Sequence, residues 1–275
     1  MTGPAEFAEF LRRTLPPLGL VWRRHLRRGV RRRIVARMDA LRVRSFEEYR
    51  KLLQESEEER AAFQACLTVT ITRFWRNRPL LESVRGHAFP VIDRLAGPGE
   101  PKAWSAGCAG GEEAYTLALL WEEFRLGRGS NRSLRVLGTD IDPRCLERAR
   151  AGLYGGTSLR EVPPEILDRH FVREGDLRRI RGEIAALVTI ERHDLLADPP
   201  PTSRHLVACR NLAFTYFDGA ARVRAARILH ASLVPGGFLL VGRKERIPDE
   251  VRRDWDEVPE APGLYRAGSG PSRHP

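Results

Sequence analysis

The chain is short of cysteine and methionine, and nowhere does it run apolar for long. Its four cysteines, Cys66, Cys108, Cys145 and Cys209, stand far apart, with no CxxC pair and no His/Cys cluster at metal-ligand spacing. That pattern excludes a disulfide framework and a zinc site, so no metal is expected and the thiols read as reduced, in a cytosolic protein. No segment reaches about 18 uninterrupted apolar residues, and Glu6, Glu9, Arg12 and Arg13 interrupt the start of the chain. Neither membrane insertion nor a secretory h-region is expected, and the expected location is the cytoplasm. Internal repeats are lacking, and so is any strand signal before residue 100. The GxGxxG dinucleotide fingerprint is also unmet, because the glycine after Gly107 is Gly110.

What the chain has in excess is positive charge. The net charge is +11, and residues 23–44, RRHLRRGVRRRIVARMDALRVR, hold ten arginines against the single Asp39. Aromatics scarcely interleave with these arginines, which disfavours single-stranded nucleic acid. The expected partner is acidic, whether nucleic acid, anionic lipid or a glutamate-rich protein surface; a merely solvated helix face is the plain alternative. Beneath the arginines, Leu26, Val30, Ile34, Met38 and Leu41 recur at helical spacing. RSFEEYRKLL then opens a second helix, with Ser45 as N-cap and Glu48 completing a capping box. Residues 57–66 read as a third, and residues 1–90 are expected to form a basic helical domain.

The segment AGPGEP at 96–101 is rich in breakers and marks a boundary. Beyond it strand-like KAWSA, LRVLGTD, LVTIERHD, HLVACRN and FLLVG alternate with helical stretches at 112–126, 143–152 and 219–233. The alternation implies β-α-β units and an α/β, doubly wound, mostly parallel sheet over residues 91–260. RHFVREG and LRRIRGEI break the rhythm and are expected to form a small antiparallel excursion at about 155–190. Residues 261–275 read as a disordered tail.

In an open parallel sheet the ligand lies beyond the carboxyl ends of the strands. Here successive strand ends deliver Gly107, Gly110 and Gly111 with Glu112 and Glu113, then Asp140, Asp194 and Asn211. Glycines let a backbone approach a ligand, while two glutamates at a helix start would repel the phosphate such a site usually receives. A ligand carrying a cation suits the site better. Asp140 is placed to accept from two ribose hydroxyls, and Asp194 from an adenine amino group. Ribose, adenine, an ammonium and a sulfonium together describe S-adenosylmethionine. Singly, each residue has a plainer reading, the glycines as turn formers and Asp140 or Asp142 as caps for the helix at Pro143.

The motifs WSAGCAGGEEAYTLAL, GTDID…LERARAGLY, ACRNLAFTYF and LVPGGFLLVG, with LTVTITRFWRN before them, resemble the CheR family of chemotaxis protein-glutamate O-methyltransferases. The resemblance spans roughly residues 5–248 and implies a Rossmann-like class I methyltransferase fold. By matched motif it implies that Thr70, Thr72, Arg76, Gly107, Glu113, Asp140, Asp194, Leu195, Asn211 and Leu212 hold S-adenosylmethionine, with S-adenosylhomocysteine as product. Arg76 and Tyr216 are the implied catalytic residues. The implied acceptor is a glutamate carboxylate of an acidic helical protein, such as a chemoreceptor's cytoplasmic helix, docked on the arginine-rich face. The sequence departs from the family pattern at Thr70, Trp75, Ala114 and Asp194, and holds one residue more between Asn211 and Tyr216. A different acceptor (peptide, small metabolite or RNA) and a non-catalytic cofactor-sensing module are the alternative functions.

Overall fold

A computed structural model describes residues 3–67 and 72–268. The chain divides into two compact units, Met1–Val69 with Thr215–Arg222, and Thr70–Phe214 with Val223–Pro275. Among the described residues no helix is long and apolar enough to cross a membrane.

The first unit is built from α1 (Pro4–Thr14), α2 (Arg28–Ala40), α3 (Phe46–Glu55) and α4 (Glu57–Leu67). Each buries one stripe: Phe7, Phe10 and Leu11 from α1, then Val30, Ile34 and Met38, then Phe46, Tyr49 and Leu53, then Phe63 and Leu67. Full burial of such a side chain contributes about 1.5–3 kcal/mol. The stripe expected on α2 is trimmed at both ends, since Leu26 and Leu41 are 44% and 36% exposed. Leu26 falls between a 3-10 turn at Trp22–His25 and the helix, so helical spacing does not carry through it. Ser45 caps α3 by accepting the Glu48 N–H, as expected. The reciprocal bond of the box goes elsewhere, because the Glu48 carboxylate takes the Arg44 N–H at 3.0 Å. Buried Glu59 ties three helices together, accepting from the Arg37 guanidinium at 2.6 Å and from the Tyr49 hydroxyl at 2.6 Å. Residues 215–222 join this unit through backbone bonds, Val21 N–H to Tyr216 C=O and Asp218 N–H to Gly19 C=O, both 2.8 Å.

The second unit begins with α5 (Arg78–Ser83), a π-helical turn (Val84–Ala88) and α6 (Phe89–Leu95). Then β1 (Lys102–Ala106), α7 (Glu112–Leu126), β2 (Arg135–Asp140) and α8 (Pro143–Ala151) set up the expected rhythm. β1 is buried over its last four residues, as a central parallel strand with both faces covered should be. The excursion is a three-stranded antiparallel sheet in the order β3-β5-β4, from β3 (Leu153–Gly155), β4 (Phe171–Glu174) and β5 (Leu177–Ile180). Short helices α9 (Gly156–Leu159), α10 (Pro164–His170) and α11 (Gly182–Ala185) surround it in sequence. The main sheet resumes with β6 (Val188–Arg192) and β7 (Arg204–Ala208), then α12 (Ala213–Tyr216), α13 (Gly219–Ala231), β8 (Leu233–Leu240), β9 (Trp255–Glu257) and β10 (Leu264–Ala267).

Its seven strands lie in the order β6-β2-β1-β7-β8-β10-β9. The first five pair in parallel, while β10 runs antiparallel to β8 and β9. The stretch expected to be disordered from 261 therefore contains β10, a strand of the sheet. Tyr265 is fully buried in register with Leu239 and Glu257, and that pairing orders a segment whose prolines and glycine read as a linker.

Candidate active site at the strand ends

From β1 the chain passes to β2 and β6 on one side, then returns to β7 and β8 on the other. The reversal opens a switch point beyond the carboxyl ends of β1 and β7, the place where open α/β sheets bind ligands. Backbone bonds draw the loops there together. The N–H groups of Gly107 and Cys108 both donate to Thr139 C=O at 2.8 Å, and His193 N–H donates to Asp140 C=O at 3.2 Å. Gly107 is left-handed (φ 77°), and a Cβ on it would stand 2.5 Å from Leu212 Cδ2. Gly107 and Leu212 are thus in contact, and the space the glycine leaves is filled by the leucine. Gly110 likewise lies under the Arg148 guanidinium. On the side where a Cβ would stand, these glycines admit protein side chains.

Asp140 sits half-buried at the end of β2. Its Oδ2 accepts the Ala109 N–H at 2.9 Å and its Oδ1 the Asp142 N–H at 3.0 Å. The carboxylate is partly exposed and keeps acceptor capacity beyond these bonds. Burial pushes its pKa up against these N–H bonds. The capping role falls to Asp142, which accepts the Arg144 N–H and starts α8. Asp194 accepts the Leu196 N–H at 2.9 Å in an Asx turn beyond β6, and Leu195 is buried beside it in sequence. Asn211, exposed and left-handed (φ 57°), follows β7.

The two glutamates of α7 differ. Glu112 is fully buried, with Oε1 accepting from Arg148 Nη2 at 2.8 Å and Ser158 Oγ at 3.1 Å. Glu113 is half-buried: Oε1 accepts from Ser105 Oγ at 2.8 Å and Oε2 faces Arg210 Nη1 at 3.3 Å. Burial raises both pKa values, opposed at Glu112 by Arg148 and at Glu113 by Arg210, Ser105 and the charge of Arg76. Since each carboxylate has an arginine partner, the expected repulsion of an anion is largely neutralised. The case for a cationic ligand narrows to Glu113, since Glu112 is fully buried and Glu113 is partly exposed.

Arg210 is the residue that sequence reasoning missed. Only 6% of its side chain is exposed, and its Nη2 donates to Arg76 C=O at 2.7 Å while Nη1 pairs with Glu113. An arginine at the end of an apolar strand was the available signal. The segment carrying Thr72 and Arg76, both half-buried, is fastened further by Phe74 N–H to Ser158 C=O at 3.0 Å and by the Arg73–Glu161 ion pair at 3.1 Å. Among the described residues, six non-glycines have positive φ, and four of them, Trp75, Asn77, Ala109 and Asn211, lie in the segments carrying these residues. Such conformations gather at functional sites because surrounding contacts must hold them. Thr70 lies outside the described residues. Tyr216 belongs to the helical unit, where the His25 ring packs at 5.0 Å and the Arg27 guanidinium lies 5.6 Å above its ring.

A five-stranded parallel run continued by an antiparallel β10, with an acid closing β2 and a turn opening α7, defines a class I S-adenosylmethionine-dependent methyltransferase. The comparison with known families carries this further. The model of the CheR methyltransferase SAM-binding domain matches residues 70–261, and the chain belongs to that family. It is 34% identical over 248 residues to the chemotaxis protein methyltransferase of Klebsiella aerogenes, covering 86% of this chain and 81% of that protein. Over 239 residues it is also 34% identical to an uncharacterized 104.1 kDa protein of Rhodobacter capsulatus, of which it spans a quarter (25%) and which covers 86% of this chain. A TehB-like SAM-dependent methyltransferase structure from Corynebacterium glutamicum is 18% identical, covers 65% of this chain and 83% of that one, and has a TM-score of 0.37. That likeness adds nothing to the fold read from the strand order. The protein is an enzyme that uses S-adenosylmethionine.

Proposed function

We propose that this enzyme transfers the methyl group of S-adenosylmethionine to a glutamate side-chain carboxylate of an acidic helical protein, chemoreceptor-like in kind. The observation carrying this reading is the Arg210 link, which fixes the Arg76 backbone beside Glu113. The cofactor supplies an electrophilic methyl on a sulfonium. An ionised carboxylate, with a pKa near 4.3, is already a nucleophile at neutral pH, so the site needs alignment and dryness more than a general base. In this reading Asp140 holds the ribose, Glu113 the ammonium, and Asp194 with Leu195 the adenine. Thr72, Gly107, Asn211 and Leu212 line the cofactor, and Thr70 is assigned with them by family pattern. Arg76 presents its planar fork to the acceptor carboxylate, and Tyr216 is its aromatic partner by the same pattern.

The acceptor's acidity matches the helical unit. There a groove of about 1310 Å³ at α2 is lined by Arg28, Arg31, Arg32, Arg42 and Arg44 against the single acid Asp39, with Val35 and Met38 among its apolar residues. Two of the ten arginines expected on this face are turned to structural work, Arg33 to Cys66 C=O and Arg37 to Glu59. Such an enzyme works in the cytoplasm, where reduced thiols like its four free cysteines persist. The test is incubation with labelled S-adenosylmethionine and an acidic chemoreceptor cytoplasmic fragment. Label released as methanol by mild alkali supports the ester; alkali-stable label, or label in RNA, assigns another acceptor.

A further inference from the structure

β7 and β8 are neighbours in the sheet, and each runs into a turn at the switch-point edge. One carboxylate joins the two turns. Glu245 Oε2 accepts the N–H of Asn211 and the N–H of Gly242, both at 2.7 Å, and the residue is only 5% exposed. The space is built for it: a Cβ on Gly242 would lie 2.6 Å from that oxygen and 3.0 Å from Asn211 Nδ2. Asn211 holds a left-handed backbone (φ 57°), which asparagine tolerates but does not prefer, so something must hold it there. On either side of it stand Arg210, which spans Glu113 and Arg76, and Leu212, which fills the space above Gly107.

We propose that Glu245 is a positioning residue for cofactor binding: by gripping both amides it fixes the left-handed turn at Asn211, and with it the placement of Arg210 and Leu212. The inference rests on the reading that S-adenosylmethionine lies at these strand ends. It does not depend on which acceptor is methylated.

A double-mutant cycle on S-adenosylhomocysteine affinity, measured by calorimetry, tests it. Glu245→Ala leaves the Gly242 and Asn211 N–H groups, the first of them buried, without their acceptor and should weaken binding about tenfold or more, whereas Glu245→Gln keeps an acceptor oxygen and should stay within about threefold. Glycine adopts positive φ freely. On an Asn211→Gly background, Glu245→Ala should therefore cost less than about threefold further. Gly242→Ala, which leaves the carboxylate in the chain but pushes it off the amides, should behave like Glu245→Ala and covers the case in which that variant does not fold. If these variants cost the same on both backgrounds, or nothing on either, Glu245 is not a positioning residue. If the unsubstituted enzyme binds no S-adenosylhomocysteine, the failure belongs to the cofactor-site reading instead.

Discussion

Glu59 in the helical unit and Glu113 in the sheet unit each have an arginine partner and a hydroxyl donor, yet they end on opposite sides of the ordinary carboxylate range. Burial pushes both upward. At Glu59 the Arg37 fork, with bonds of 2.6 to 3.1 Å, and the Tyr49 hydroxyl overcome it, and the pKa falls. At Glu113 Arg210 offers one contact at 3.3 Å because its other nitrogen serves Arg76 C=O, and the pKa stays raised. A carboxylate that is fully compensated fastens helices. One that is partly exposed and left under-compensated has room for a further cation, which in the proposed function is the ammonium of S-adenosylmethionine.

The difference can be broken in several ways. The largest effect is expected on transfer: Arg76→Ala should lower methyl incorporation at least ~100-fold at saturating cofactor, since misplacement alone costs that much. Arg76→Lys should recover little of it, because an ammonium does not reproduce the fork. Glu59→Ala should cost about 2 kcal/mol in denaturant unfolding, by orphaning the buried Tyr49 hydroxyl, and leave S-adenosylhomocysteine affinity unchanged. An affinity loss there would erase the distinction between the two glutamates.

Acidification should separate the pair as well. Glu113 and Asp140 have raised pKa values, so cofactor affinity should start to fall while the pH is still above the ordinary carboxylate range of about 4. Their elevation costs the fold stability at neutral pH, and protonation relieves it. Glu59 has a lowered pKa; its contribution to stability is complete above about 4.3 and is lost as the pH falls through the lower folded value. Affinity should therefore decline before the helical unit weakens, as titration calorimetry and circular dichroism across pH would register. The smallest effect is expected from Ser105→Ala, which removes one neutral donor from Glu113 and should weaken S-adenosylhomocysteine about threefold.

Much of this architecture was legible because strands and helices carry local periods. KAWSA, LRVLGTD and LVTIERHD announced β1, β2 and β6, and the excursion was visible from two short alternating stretches. β9 and β10 were not, because each is short and Pro259, Pro262 and Gly263 separate them like a linker. The strand-end acids were legible from position alone. What fills the glycine turn was not: Leu212 and Arg148 lie far along the chain, and nothing local pairs them with Gly107 or Gly110. For the same reason the grip of Glu245 on Asn211, 34 residues earlier, could come only from the fold.

The central claim is that the tips of β1, β2, β6 and β7 hold S-adenosylmethionine through side chains placed there by the sheet. Calorimetric titration of S-adenosylhomocysteine into the enzyme and into Asp140→Ala tests it most directly. One molecule should bind per chain, and the substitution should weaken that binding ~100-fold or more, by removing the acceptor for both ribose hydroxyls. Equal affinity in the two proteins, or no binding to either, would contradict the claim.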